Sequence, residues 1–175
     1  MQNDFLLPAL YCLLLPAVHA DLSTRTIPNW LTFGGIGAGL LLALWQQGGS
    51  GVLLASLALF TAFTVAFVFW LCGWLGAGDV KLLAAVATLT GPALLPQVLL
   101  FTAFAGGVLA VVAMLWYGRT RDTLQRLRRR WSSAAGADAE TDEEISPAPL
   151  RLPYAVAIAA GSLLAVLQTG TGLPA

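Results

Sequence analysis

Asp21 and Asp79 are the two residues of this chain best placed to do chemistry. Seven of the nine acidic residues have ordinary settings: Asp4 near the start, and six in the charged segment 118–151. Asp21 and Asp79 instead border the long uncharged stretches 5–20 and 26–78. A carboxylate at the edge of hydrocarbon is costly unless it is paired or faces a wet cavity, so it is a functional hypothesis by default. Two carboxylates a few ångströms apart cannot both ionise easily and come to share a proton. One then acts as base on a water while the other, protonated, polarises a carbonyl. This is aspartyl protease chemistry, and it needs no cofactor, metal, Ser, Cys or His. Gly76-Ala77-Gly78-Asp79 adds a GxGD motif. Gly76 and Gly78 would let another backbone, such as an extended scissile peptide, come close to the acid. Two structural readings stand beside the catalytic one. Asp79 precedes Val80-Lys81-Leu82-Leu83-Ala84-Ala85, a good helix start, and would serve as an N-cap. Asp21 would pair with Arg25 at i,i+4.

The remaining candidates are weaker. Cys12 and Cys72 form no CxxC pair, which excludes a cysteine metal site, and both read as small packing residues. His19 is the lone histidine and lies two positions from Asp21, a spacing at which helical side chains do not face each other. It reads as an interfacial polar residue.

The elements that must position the two acids follow from composition. Of 175 residues, 58% are hydrophobic and 10% charged, with mean hydropathy +0.78. Soluble domains carry about 25% charged residues. The sequence therefore excludes a soluble enzyme, a nucleic-acid binder and a disordered chain. Asp, Glu, Lys and Arg are absent from 5–20, 26–78, 82–118 and 152–175. A spanning helix needs about 20 apolar residues, so the second and third stretches each suit two helices. Their natural breaks are Gln46-Gln47-Gly48-Gly49-Ser50-Gly51 and the segment from Gly91-Pro92 to Pro96-Gln97. The expectation is an all-α, polytopic membrane protein. It has about six transmembrane helices, near 4–20, 30–45, 52–74, 80–95, 97–117 and 152–169. Residues 1–175 form one domain, and its longer cytoplasmic loop, 118–151, joins helices 5 and 6.

All nine basic residues fall in three connections: Arg25, Lys81, and the segment from Arg119 to Arg151. An even number of crossings separates these connections, so they share one side, and the positive-inside rule makes that side cytoplasmic. Both termini then face out, and Asp21 and Asp79 lie at the cytoplasmic face. Leu13 to Ala20 has the look of a signal-peptide end, but Met1 to Asp4 holds no Lys or Arg, so the segment is read as a retained span. The loop begins basic, with Leu124, Leu127 and Trp131 available to face lipid headgroups, and ends acidic. Trp30, Trp45, Trp74 and Trp116 lie near expected span ends and read as interfacial anchors. Gly34, Gly35, Gly37, Gly39, Gly106 and Gly107 are expected to allow close helix packing.

Three motifs resemble one family. Asp21 to Thr32, with its Ile27-Pro28-Asn29, resembles the first motif of the type IV prepilin peptidases. Gly76 to Ala85 resembles the second, GxGDxKLLAA. Pro153-Tyr154-Ala155-Val156-Ala157-Ile158-Ala159-Ala160-Gly161 is similar to the family's last-span signature. The resemblance implies a membrane aspartyl protease of the GxGD class, with Asp21 and Asp79 catalytic. Gly76, Gly78, Lys81, Pro153 and Tyr154 would be its supporting residues. Lys81 would anchor its helix at the headgroups or tune Asp79, and Tyr154 would sit in an aromatic belt or position substrate. The substrate would be a prepilin or pseudopilin, cut on the cytoplasmic side after the Gly that ends a short basic leader. The bacterial inner membrane would be its location, with membrane lipid and the pilus-assembly machinery as partners. Large bifunctional members carry paired CxxC motifs and also methylate the new N-terminus. This chain lacks those motifs and resembles the short, peptidase-only members that serve tight-adherence (Flp) pili. Two other classes remain open: a small transporter or channel subunit using the aspartates as ion or proton sites, and a non-catalytic assembly scaffold.

Overall fold

The computed structural model describes residues 3–116 and 153–170, and all of its regular elements are helices. They are α1 (Asn3–Thr24), α2 (Asn29–Leu71), α3 (Ala77–Trp116) and α4 (Tyr154–Gly170). The expected loop 118–151 lies outside the described residues. The chain divides into two compact units, Met1–Gly106 with Pro153–Ala175, and Gly107–Leu152. The second unit is described only over the last turns of α3.

Among the described residues, three segments are long and apolar enough to cross a membrane: Phe5–Thr24, Asn29–Leu71 and Ala77–Ala113. Tyr154–Gln168 is apolar but shorter. A straight helix as long as α2 would reach roughly 64 Å, about twice the hydrocarbon core. It is not straight. Gly48 leaves the helical region at φ 63°, ψ −146°, inside the turn expected at 46–51. Gly91 does the same in α3 at φ 73°, ψ 175°, at the start of the break expected at 91–97. Positive φ costs glycine nothing, and the Pro92 that follows Gly91 suits the first position of a resumed helix, where its missing N–H has no partner to lose.

Along α2, small residues face the interior and large ones the exterior. On α2, Ala55, Ala58, Ala62 and Ala66 are buried at helical spacing, while Leu41, Trp45, Leu53, Phe60 and Trp70 are exposed. That inversion suits a hydrocarbon solvent, in which helices gain by close packing rather than by hiding apolar surface. On α1 the buried stripe is Leu10, Leu13, Leu14 and Ala17, and one turn further it reaches Asp21. On α3 every residue from Leu82 to Ala87 is buried, which makes this the central helix of the unit.

The glycine expectations divide. A Cβ on Gly35 would strike Leu13 Cδ1 at 2.7 Å and Ala85 Cβ at 3.3 Å, so α2 touches both α1 and α3 there. Gly39 lies against Thr88, and Gly106 against the Tyr154 ring. At Gly34, Gly37 and Gly107 a Cβ would meet nothing within 4 Å among the described residues. Gly161, quoted above only within the last-span motif, is also a close contact: its Cβ would lie 2.6 Å from both Thr102 Cα and Thr102 Oγ1. Cys12 and Cys72 are exposed rather than packed, because both project from the outer surface, where a small thiol meets no neighbouring helix. Trp30, Trp45, Trp74 and Trp116 are exposed, as surface anchors require.

Candidate active site

The end of α2 sets up the GxGD segment. Gly73 takes φ 73°, its N–H donates to Trp70 O, and the Trp74 N–H donates to Phe69 O. This is a Schellman termination with glycine at the left-handed position, and the Phe69 and Trp74 rings meet across it at 5.8 Å. The chain leaves the turn at Gly76 and enters α3 at Ala77.

Asp79 sits in the first turn of α3, and its Oδ2 accepts the Gly76 N–H at 3.1 Å. The Asp79 N–H in turn donates to Gly76 O at 3.1 Å. Asp79 is therefore not the N-cap residue. It occupies the third helical position and reaches back, as the acidic member of a capping box does. Gly76 must be small for this: a Cβ there would lie 2.9 Å from Asp79 Oδ2. Gly78 has a different reason. Its Cβ would meet Ile27 Cβ at 3.4 Å, so Ile27 packs directly over the backbone of the GxGD turn.

Asp21 lies in the last turn of α1, and its Oδ2 accepts the Ala155 N–H at 3.0 Å across 134 residues of sequence. Pro153 opens α4 and has no side-chain acceptor of its own to cap the helix. Its carbonyl accepts the Val156 N–H. Asp21 thus supplies the missing cap from another helix, where the dipole favours a carboxylate. The alternative pairing with Arg25 is replaced by backbone geometry. The Arg25 N–H donates to Asp21 O, and Arg25 adopts φ 53° as it ends α1, which turns the chain toward α2.

Both carboxylates are almost buried, Asp21 at 8% and Asp79 at 9% exposure. Asp21 holds the first turn of α4, and Ile27, six residues after it, packs on Gly78, the residue before Asp79. Each uses one oxygen, Oδ2, to hold a helix N-terminus. Among the described residues neither Oδ1 accepts a hydrogen bond, and neither is sealed from solvent. No group of three or more His, Cys, Asp or Glu that could hold a metal occurs among the described residues.

Lys81 Nζ donates to Asn29 Oδ1 at 2.9 Å and sits 5.6 Å from the centre of the Phe33 ring. Pro153 and Tyr154 reach the site through α4, whose first turn holds Asp21. Ile27, Asn29 and the Ala155 N–H were missed as contributors. The first two lie in the quoted Ile-Pro-Asn and carried a signal, because polar Asn29 stands alone at the head of a long apolar helix. A backbone N–H leaves no mark in sequence.

The chain is 36% identical over 121 residues to proteins described as "Prepilin leader peptidase/N-methyltransferase" from Burkholderia pseudomallei strains 1026b and K96243. The match covers 63% of this chain and 38% of each relative, so it spans well under half of their length. No solved structure matches. The model of the type IV leader peptidase family matches residues 9–111, which hold both aspartates and every residue of the first two motifs. The chain belongs to the type IV leader peptidase family.

Proposed function

We propose that this protein is a prepilin leader peptidase of the bacterial inner membrane, working through Asp21 and Asp79. The observation that carries the reading is the pair itself: two nearly buried carboxylates 58 positions apart in sequence, each tethered through Oδ2 to a helix N-terminus, with Ile27 of the intervening linker packed on Gly78. The chain crosses the membrane six times, with Gly48 and Gly91 at two outer turns, both termini outside and the aspartates at the cytoplasmic face. The distribution of Arg and Lys supports this orientation.

In the reaction, a prepilin's or pseudopilin's apolar helix lies among lipids against the exposed apolar helices, and its leader stays in the cytoplasm. The junction enters beside Gly76–Asp79. One aspartate takes a proton from water as the water oxygen adds to the carbonyl carbon of the leader glycine. The protonated partner gives its proton to the carbonyl oxygen. The C–N bond then breaks, and the departing nitrogen takes up a proton from the pair. The two acids titrate as one system. Flp-like pilins are the proposed substrates, and peptide cleavage without methyl transfer is the proposed activity. Purified protein incubated with a synthetic prepilin, with product masses measured, tests both. A product cut after the glycine and unmodified supports the reading. An intact substrate in active lipid conditions overturns it, and a methylated product overturns the peptidase-only part.

A further inference from the structure

We propose that Asn29 and Lys81 form a latch that positions the two aspartates, and that Lys81 serves the site through this latch rather than through its charge. The inference rests on the peptidase reading for its effect on turnover, but not for its geometry.

Asp21 and Asp79 arrive on different helices. The linker from Arg25 to Pro28 and the head of α2 lie between them in the chain, so whatever fixes that linker on α3 fixes the spacing of the acids. Three contacts do so. Ile27 packs on Gly78, Lys81 donates to Asn29 Oδ1 at 2.9 Å, and the same ammonium lies over the Phe33 ring one turn further along α2. At its other end the linker is bound to α1. Thr24 Oγ1 donates to Ala20 O at 2.9 Å and lies 3.0 Å from Thr26 Oγ1, and the Arg25 N–H donates to Asp21 O. A chain of short contacts thus runs from the backbone of Asp21 to the first turn of α3, two residues from Asp79. The ammonium of Lys81 is directed to the Asn29 amide and the Phe33 ring, while the Oδ2 of Asp79 is taken by the Gly76 N–H. A latch of this kind matters because a misplacement of about 1 Å can cost on the order of 100-fold in rate.

The test combines a structural and a kinetic readout in full-length protein carrying Cys12→Ser and Cys72→Ser. With Ile27→Cys and Gly78→Cys added, the two Cβ atoms lie near the separation a disulfide requires, about 3.5–4.5 Å. Oxidation should crosslink α3 to the linker rapidly, and Asn29→Ala or Lys81→Met should each slow crosslinking. Unchanged crosslinking in both overturns the latch whether or not the protein is a peptidase. In the protein without engineered cysteines, each of the two variants should lower kcat about 10- to 100-fold with KM little changed. The double variant should be no worse than the poorer single, and Asn29→Asp, which keeps an acceptor, should recover most of the rate. Additive losses, or a loss in Lys81→Met with full activity in Asn29→Ala and a displaced pH profile, would mean that Lys81 acts through its charge. Asp79→Asn, assayed alongside, separates failure of the latch from failure of the peptidase reading, because only the latter leaves that variant active.

Discussion

The two ends of the first half of α2, roughly 28 Å apart at 1.5 Å per residue, are built on opposite principles. At the Asn29 end, side chains reach across long stretches of sequence: Lys81 to Asn29 over 52 positions and Asp21 to Ala155 over 134. At the Gly48 end, the polar side chains bond within their own turn. Ser50 donates to Gln47 O, Thr88 to Ala84 O and Thr90 to Val86 O. A cavity of about 260 Å³ lies there, lined by residues including Gln46, Gln47, Thr88 and Gly91. The contrast shows that apolar packing is enough to turn the chain around, whereas holding two acids in register takes polar contacts between elements. Such contacts are specific because each has one partner at one distance.

Substitutions at the two ends should therefore differ in kind as well as size. The largest effect belongs to Asp21→Asn and Asp79→Asn. Each should cut turnover by at least about 10²- to 10⁴-fold, the usual worth of a positioned acid or base, with membrane insertion unchanged by flotation. A variant that keeps full turnover removes that aspartate from the mechanism.

Gly76→Ala comes next. The new methyl group would lie 2.9 Å from Asp79 Oδ2, so the carboxylate must move off its cap. Turnover should fall by tens of fold, on the order of a sub-ångström displacement, measured as kcat on a synthetic prepilin. A normal kcat would show that the cap does not set the carboxylate's position.

Gly161→Val tests packing without touching the site's polar groups. Its side chain meets the backbone of Thr102, which cannot turn aside as a rotamer can. Unfolding in detergent should show about 1–3 kcal/mol of destabilisation, the range for overpacking. The smallest effect is expected at the far end. Gly48→Ala places a Cβ at φ 63° but in open space, so stability should fall by about 1–2 kcal/mol with kcat unchanged. A changed kcat there would dissolve the distinction between the ends.

Much of this was legible in the sequence, for reasons that differ between elements. The helices follow from uncharged runs, and the breaks at Gly48 and Gly91 fall where glycine and polar residues interrupt them. Asp21 and Asp79 stood out because hydrocarbon tolerates so few carboxylates. What they bond to did not. Whether Asp79 is the N-cap or the third helical residue depends on where α3 begins, and a shift of three residues reverses the answer. The partner of Asp21 is a backbone N–H 134 positions away, which no periodicity encodes. The value of a glycine was equally hidden. Gly35 and Gly37 are neighbours on one helix, yet one meets Leu13 and the other meets nothing, because only the rotation of α2 decides which face is covered.

The bond between Asp21 and Ala155 also places the site in time. A ribosome adding about 5–20 residues per second needs roughly 7–27 seconds to pass from the first of these residues to the second. Until Ala155 has been made and α4 has docked, the Asp21 carboxylate lacks this amide. A chain that has just passed Asp79 therefore carries both acids but only one of their two tethers.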